Sequence, residues 1–144
     1  MKNNKGFTLI ELLVVISIMG IIMGLSIFGL LGARESARDG RRKADIEEIR
    51  ASVEIYKSDC NSYPSTISDD LVGDDSPTAC SADNVYIDTL PVDPITPDAD
   101  YLYWSNGTTY EICAYLEQVT GDPVTCGGST VCGGSTCNYK ATNP

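Results

Sequence analysis

The chain has 144 residues, a formal net charge of −10 and no histidine, which leaves room for one domain plus a membrane segment rather than two domains. Without an imidazole, Ser-His and Cys-His chemistry is excluded, and an enzyme is not expected. Charge is segregated: residues 34–57 hold seven bases and six acids, whereas residues 58–144 hold 13 acids and one base, Lys140, so the distal part is poorly suited to neutralising nucleic-acid phosphates.

Met1–Gly6 is a short basic leader with Lys2 and Lys5. An apolar run from Phe7 to Ala33 follows; as a helix it would measure about 40 Å, more than a bilayer core of about 30 Å. It is too long for the apolar core of an ordinary signal peptide, and Leu31-Gly32-Ala33 is a poor cleavage site. Lys2 and Lys5 before the span place the N-terminus on the cytoplasmic side and the C-terminal part outside. Glu11 interrupts the run near its start. A carboxylate inside a membrane needs a partner, and a cut after Gly6 would create one in the α-amino group of Phe7.

The helical pattern continues past the span. Residues 34–58 contain no proline, and Ile46, Ile49, Val53 and Tyr56 fall on one face, as an amphipathic helix requires. Glu47/Arg50 and Glu54/Lys57, three apart, support the exposed faces. Gly40 is the weak point. One near-continuous helix is expected from Phe7 to Ser58, with the C-terminal domain covering its isoleucine face.

Asn61-Ser62-Tyr63-Pro64-Ser65 breaks the helix. Residues 65–84 read as a loop with one short helical turn near Ile67–Val72, and Val85-Tyr86-Ile87 as a short strand. Leu90-Pro91-Val92-Asp93-Pro94 and Pro97 make a stiff, turn-rich passage. Tyr101–Ser105 and Thr108–Glu117 flank Asn106-Gly107 and predict a hairpin. In its second strand Tyr110, Ile112, Ala114 and Leu116 alternate with Glu111, Cys113, Tyr115 and Glu117, giving one apolar face to lie on the helix. Tyr101, Tyr103, Trp104, Tyr110 and Tyr115 gather there, some for the core and any exposed ones for a partner. Asn106-Gly107-Thr108 also spells a glycosylation sequon, but it makes a good hairpin turn as well, and the turn is the preferred reading.

All six cysteines, Cys60, Cys80, Cys113, Cys126, Cys132 and Cys137, lie in the distal part. An even number in an exported domain reads as disulfides. Without histidine or a C-x-x-C pair, zinc is disfavoured. Cys60–Cys80 is the first bridge expected, from proximity alone. The tail repeats Cys-Gly-Gly-Ser-Thr at residues 126–130 and 132–136 and is expected to form only a disulfide-pinned loop that staples the C-terminus of a thin core. Asp69, Asp70, Asp74, Asp75, Asp88, Asp93, Asp98 and Asp100 offer oxygen ligands for calcium, but their spacing fits no EF-hand, and a solvated acidic surface is the simpler reading.

Gly6-Phe7-Thr8-Leu9-Ile10-Glu11 at the head of a long apolar helix resembles the class III signal of type IV pilins and of the pseudopilins of type II secretion. The likeness extends more loosely over residues 34–64, through Arg41-Arg42-Lys43-Ala44-Asp45-Ile46 to Tyr63-Pro64, and to Leu90-Pro91 and Asp93-Pro94. It implies that prepilin peptidase cuts between Gly6 and Phe7 and methylates the Phe7 amine. It further implies that the subunit waits in membrane lipid until an inner-membrane platform with ATPase-driven machinery draws it into a homopolymer, where Glu11 neutralises a neighbour's Phe7 amine. Two departures stand out. Many type IV pilins have a helix-breaking proline where Phe28 stands; here Gly20, Gly24, Gly29 and Gly32 are scattered instead, either to loosen the helix around Gly20–Gly29 in a filament or to form a small-residue packing face. Major pseudopilins often bind calcium through an acidic C-terminal loop, which the Gly/Cys tail replaces, so those ligands do not carry over.

The expected fold is α+β: a leader (1–6), a transmembrane or filament-core helix (7–33), its amphipathic continuation (34–60), and an extracytoplasmic head (61–144) of small antiparallel sheet and pinned C-terminal loop. The first function expected is a structural prepilin of a type IV pilus for adhesion, motility or DNA uptake, held in the cytoplasmic membrane and then in an extracellular or periplasmic filament. A major pseudopilin of type II secretion is the alternative, and a non-polymerising, membrane-anchored binding module a second.

Overall fold

The computed structural model describes residues 6–95 and 101–144. The expectations that concern Lys2, Lys5, Pro97, Asp98 and Asp100 lie outside those residues, as does the side chain of Phe28. Two compact units divide the chain, Met1–Ser36 and Ala37–Pro144. One helix, α1 (Leu9–Cys60), contributes to both. It runs unbroken through Gly20, Gly24, Gly29, Gly32 and Gly40. It stops where Asn61 turns left-handed (φ 60°) and donates its N–H to the Lys57 carbonyl at 2.9 Å, a common way to satisfy a helix's last carbonyls.

In the first unit the described side chains from Leu9 to Leu30 are exposed. The most apolar stretch of α1 reaches a mean hydropathy of 2.6, so by length and composition the helix can cross a membrane.

In the second unit α1 carries one buried stripe. Asp39, Arg42, Ile46, Ile49, Val53, Tyr56 and Cys60 are all buried along it, at alternating spacings of three and four that keep them on one face. Full burial of one aliphatic side chain is worth roughly 1.5–3 kcal/mol, so this stripe requires a cover. The cover begins with a small antiparallel pair, β1 (Leu71–Val72) and β2 (Val85–Ile87), with Leu71 opposite Ile87. The helical turn expected near Ile67–Val72 is therefore absent. Its apolar residues gain more by pairing Leu71 with Ile87 in the core than a single isolated turn could supply.

The main cover is a three-stranded antiparallel sheet in the order β3 (Leu102–Ser105), β4 (Tyr110–Ala114), β7 (Tyr139–Thr142). Ser105 pairs with Tyr110, so the loop has four residues, Asn106 to Thr109, rather than the two of a minimal Asn-Gly hairpin. Tyr110, Ile112 and Ala114 pack with Ile46, Ile49 and Val53 in one core. The opposite face of β4 bears Cys113, which joins Cys126, Cys132 and Cys137 in a second cluster with Leu102 and Val124 against it.

The tail is more than a pinned loop. It contains β5 (Val131–Cys132) and β6 (Ser135–Thr136), and it closes the main sheet with β7. Its two Cys-Gly-Gly-Ser copies share one conformation, with positive φ at Gly127 (55°), Gly128 (90°), Gly133 (56°) and Gly134 (85°). Paired positive φ values are what a tight hairpin turn needs. Bridges join Cys60 to Cys80, Cys113 to Cys126 and Cys132 to Cys137.

The two glycines of the first turn separate backbone strain from crowding. A Cβ on Gly127 would strike the Trp104 ring, whereas one on Gly128 would meet open space. Gly127→Ala should lower the thermal midpoint of the full chain in detergent clearly more than Gly128→Ala. The latter should cost only about 1–2 kcal/mol for the left-handed conformation. Equal midpoints for the two variants would show that Trp104 does not fill that contact.

Candidate assembly site

At the start of α1, Thr8 and Glu11 bind each other reciprocally. The Thr8 N–H and Oγ1 both donate to Glu11 Oε2, at 2.9 and 2.7 Å, and the Glu11 N–H donates to Thr8 Oγ1 at 3.3 Å. The Leu12 N–H reaches the Thr8 carbonyl at 3.3 Å. This is a capping box, in which a threonine N-cap and a glutamate three residues on satisfy each other's backbone donors. The Thr-x-x-Glu spacing is visible in the sequence and was missed there, because the membrane cost of Glu11 drew the explanation. Both bonds fall on Oε2, and Oε1 has no hydrogen bond among the described residues. Gly6, Phe7 and Glu11 are all exposed.

A second constellation lies in the head. The Arg42 side chain is only 3% exposed and makes ion pairs with Asp39 (2.9 Å), Asp93 (2.6 Å) and Glu117 (2.8 Å). Arg38 adds a two-pronged pair to Glu117. Asp39 also accepts the N–H groups of Glu117 (2.9 Å) and Gln118 (2.8 Å). Among the described residues no buried side-chain nitrogen or oxygen is left without a partner. Burial opposes the charge on Arg42, but its hydrogen bonds to Asp93, Glu117 and Asp39 outweigh that and raise its pKa. The Arg38 guanidinium, helped by Arg42 and against the burial cost, holds Glu117 at about 2. Nearby, the buried Tyr101 hydroxyl donates to Asp45 at 2.7 Å, and its pKa is pushed up by burial and by that carboxylate.

Sequence reasoning missed this network. It followed apolar residues, and Asp39 and Arg42 continue the same stripe in charged form. It also placed Asp93 on a solvated acidic surface and expected Glu54 to pair with Lys57. Instead Glu54 accepts the hydroxyls of Tyr63 (3.0 Å) and Tyr110 (3.1 Å). Lys57 reaches the Gly107 carbonyl and lies 4.6 Å over the Tyr63 ring. Glu47 and Arg50 do pair, at 2.9 Å. Among the described residues one group has metal-ligand geometry, Cys60, Asp74 and Cys80. Its two sulfurs are bonded to each other, which is not the oxygen set calcium takes.

The chain matches the prokaryotic N-terminal methylation motif over residues 1–27 and type II secretion system protein G over residues 29–122. Type II secretion system core protein G of Aeromonas hydrophila is 38% identical over 100 residues, covering 65% of this chain and 68% of that protein. The Pseudomonas aeruginosa protein of the same name is 34% identical over 107 residues, covering 70% of this chain and 75% of that protein. The type IV wide pilus major component PilA4 of Thermus thermophilus is 46% identical over 65 residues, covering 45% of this chain and 50% of that protein. No solved structure matches.

Arg42→Met should destabilise the head by about 3–5 kcal/mol, because it leaves buried carboxylates without their cation. Denaturant unfolding of the full chain would show it. Glu117 has its pKa lowered from 4.5 to about 2 in the fold. Its contribution is therefore complete above the unfolded value and lost as pH falls through the folded one. Thermal midpoints should drop between pH 4.5 and about 2, and Glu117→Gln should flatten that drop. A profile unchanged by the substitution would remove Glu117 from the acid response.

Proposed function

The chain belongs to the type II secretion system protein G family, and from that membership we propose that it is the repeating subunit of a secretion pseudopilus. Its part is structural, not catalytic. A leader peptidase removes residues 1–6 between Gly6 and Phe7 and methylates the new Phe7 amine. The apolar helix 7–33 then holds the subunit in the cytoplasmic membrane, with the head outside, until an assembly platform draws it into a homopolymer. Apolar helices pack together as the filament core.

One observation carries this reading. The protein G match runs through the outer helix and into the head, over residues 29–122, and so does not rest on the N-terminal segment that pilins and pseudopilins have in common. It favours the secretion pseudopilus over the pilus expected first from sequence. The pilus remains as a second reading because of the 46% identity to PilA4, although that likeness covers 45% of the chain against 65% and 70% for the two protein G relatives.

The capping box supports a role for Glu11 before and after assembly. In the single subunit Thr8 occupies Oε2. The vacant Oε1 is then available to the methylated amine of a neighbour. Neither charge is tolerable alone among aliphatic helices, so the pair fixes axial register.

Mass spectrometry of sheared filaments should find this chain starting at N-methyl-Phe7. Glu11→Ala should leave membrane insertion and leader removal intact but reduce filament yield by about tenfold or more, as expected when one member of a desolvated ion pair is lost. Wild-type yield from that variant would refute the role given to Glu11. Deleting the gene should strand exported proteins in the periplasm. Normal secretion with loss of surface pili would select the pilus reading instead.

A further inference from the structure

The four-residue loop between β3 and β4 does more than reverse the chain. Asn106, Thr108 and Thr109 are exposed, whereas the other side of the loop is fixed to the head. The Gly107 carbonyl accepts the Tyr63 N–H at 2.9 Å, and the Gly107 N–H donates to Ser105 Oγ at 2.9 Å. On this fixed support, four donors converge on one oxygen. Asn106 Oδ1 accepts the N–H of Thr108 (3.0 Å), the Thr108 hydroxyl (2.9 Å), the N–H of Thr109 (2.8 Å) and the Thr109 hydroxyl (3.0 Å). The Asn106 amide nitrogen, Nδ2, donates to nothing among the described residues.

A turn alone does not explain that choice of side chain. Every bond the turn makes with the side chain goes to Oδ1, and aspartate supplies that oxygen equally well. What asparagine adds is the nitrogen, and it belongs to an exposed side chain that the turn does not use as a donor. A carboxamide nitrogen is a weak nucleophile because its lone pair is delocalised into the carbonyl. Losing a proton from Nδ2 moves negative charge onto the oxygen, and pre-aimed donors at an oxygen that gains charge lower the barrier to such a step. The Asn106-Gly107-Thr108 sequence also has the form that N-linked glycan transfer requires.

We propose that Asn106 is an N-glycosylation site, accepting an oligosaccharide from a lipid-diphosphate-linked donor. A base on the transferase takes a proton from Nδ2. The nitrogen then forms a bond to the anomeric carbon, and the bond from that carbon to the lipid diphosphate breaks, with the electron pair leaving on the diphosphate. Nothing is oxidised or reduced. The proposal rests on the outward placement of the head given above.

The test uses the full chain purified from the cells that naturally make it, analysed as intact protein and as peptides by mass spectrometry. The peptide containing Asn106 should carry an oligosaccharide mass, and amidase treatment should release the sugar and leave aspartate at that position. Thr108→Ala should abolish the modification and Thr108→Ser should retain it. Thr109→Ala removes an equivalent turn bond but leaves the sequon, so it should remain modified. Asn106→Asp keeps all four acceptor contacts and should be unmodified yet folded, with its three disulfides intact. An unmodified or merely deamidated Asn106 in the wild-type chain would overturn the proposal, and so would modification that survives Thr108→Ala. The same spectra test the premise separately. Oxidised cysteines with a bare Asn106 defeat the glycan alone, while free thiols throughout would defeat the outward placement of the head.

Discussion

The head is governed by one stripe on α1 that cannot be left in water. Ile46, Ile49, Val53 and Tyr56 are buried because β4 lays Tyr110, Ile112 and Ala114 over them. Both partners of that contact are periodic, one at helical and the other at strand spacing, and neither is stable alone. A three-stranded sheet of short strands has little core of its own, and an amphipathic helix in water owes most of its order to what covers it. The loop breaking at Asn61, the β1–β2 pair and the hairpin all serve to bring residues back onto this face.

An aliphatic stripe fixes contact but fixes position poorly, since one isoleucine is much like the next. The charged end of the stripe supplies the missing definition. Arg42 is satisfied only if Asp39 on its own helix, Asp93 on the proline-rich passage and Glu117 beyond β4 all reach it together. Sliding the sheet by one helical turn would leave a buried guanidinium facing apolar side chains, at a cost of several kcal/mol. The network thus adds little net stability over a well-packed apolar cluster, but it penalises every other register. Asn138 does similar work on the far side, bonding the Leu116 backbone N–H and carbonyl and the Val119 carbonyl, so that the chain beyond β4 is held to the strand that closes the sheet.

This division explains what the sequence disclosed. The helix, its apolar face and the Tyr110–Leu116 alternation follow from periodicity, which is local and legible. Asn106-Gly107 marked the hairpin because few residue pairs tolerate positive φ. The β7 strand was hidden because Tyr-Lys-Ala-Thr has no strong pattern and buries only Ala141; its pairing is decided by the open edge of β4, a tertiary fact. Arg42 was hidden for a related reason. A buried arginine looks like a solvated one until its three carboxylates, two of them far along the chain, are assembled around it. The Thr8–Glu11 box was legible and overlooked, since a residue with one sufficient explanation invites no second.

The two faces of β4 meet unlike materials. Toward α1 lie aliphatic and aromatic side chains; on the other side Cys113 enters a cluster of cystines held by glycine turns. The second face has too few carbons to pay for ordering the tail through burial alone. Covalent closure solves this by restricting the unfolded chain, and a loop the length of Cys113–Cys126 is worth roughly 3 kcal/mol in that model. The order of the tail therefore depends on its bridges staying closed. With thiols reduced, the glycine turns lose their clamp, and β7 loses the connection that presents it to β4. The sheet is then left with an open edge next to a thinly covered face. The aliphatic side of β4 holds without covalent help, whereas the cystine side holds only while its bridges are closed.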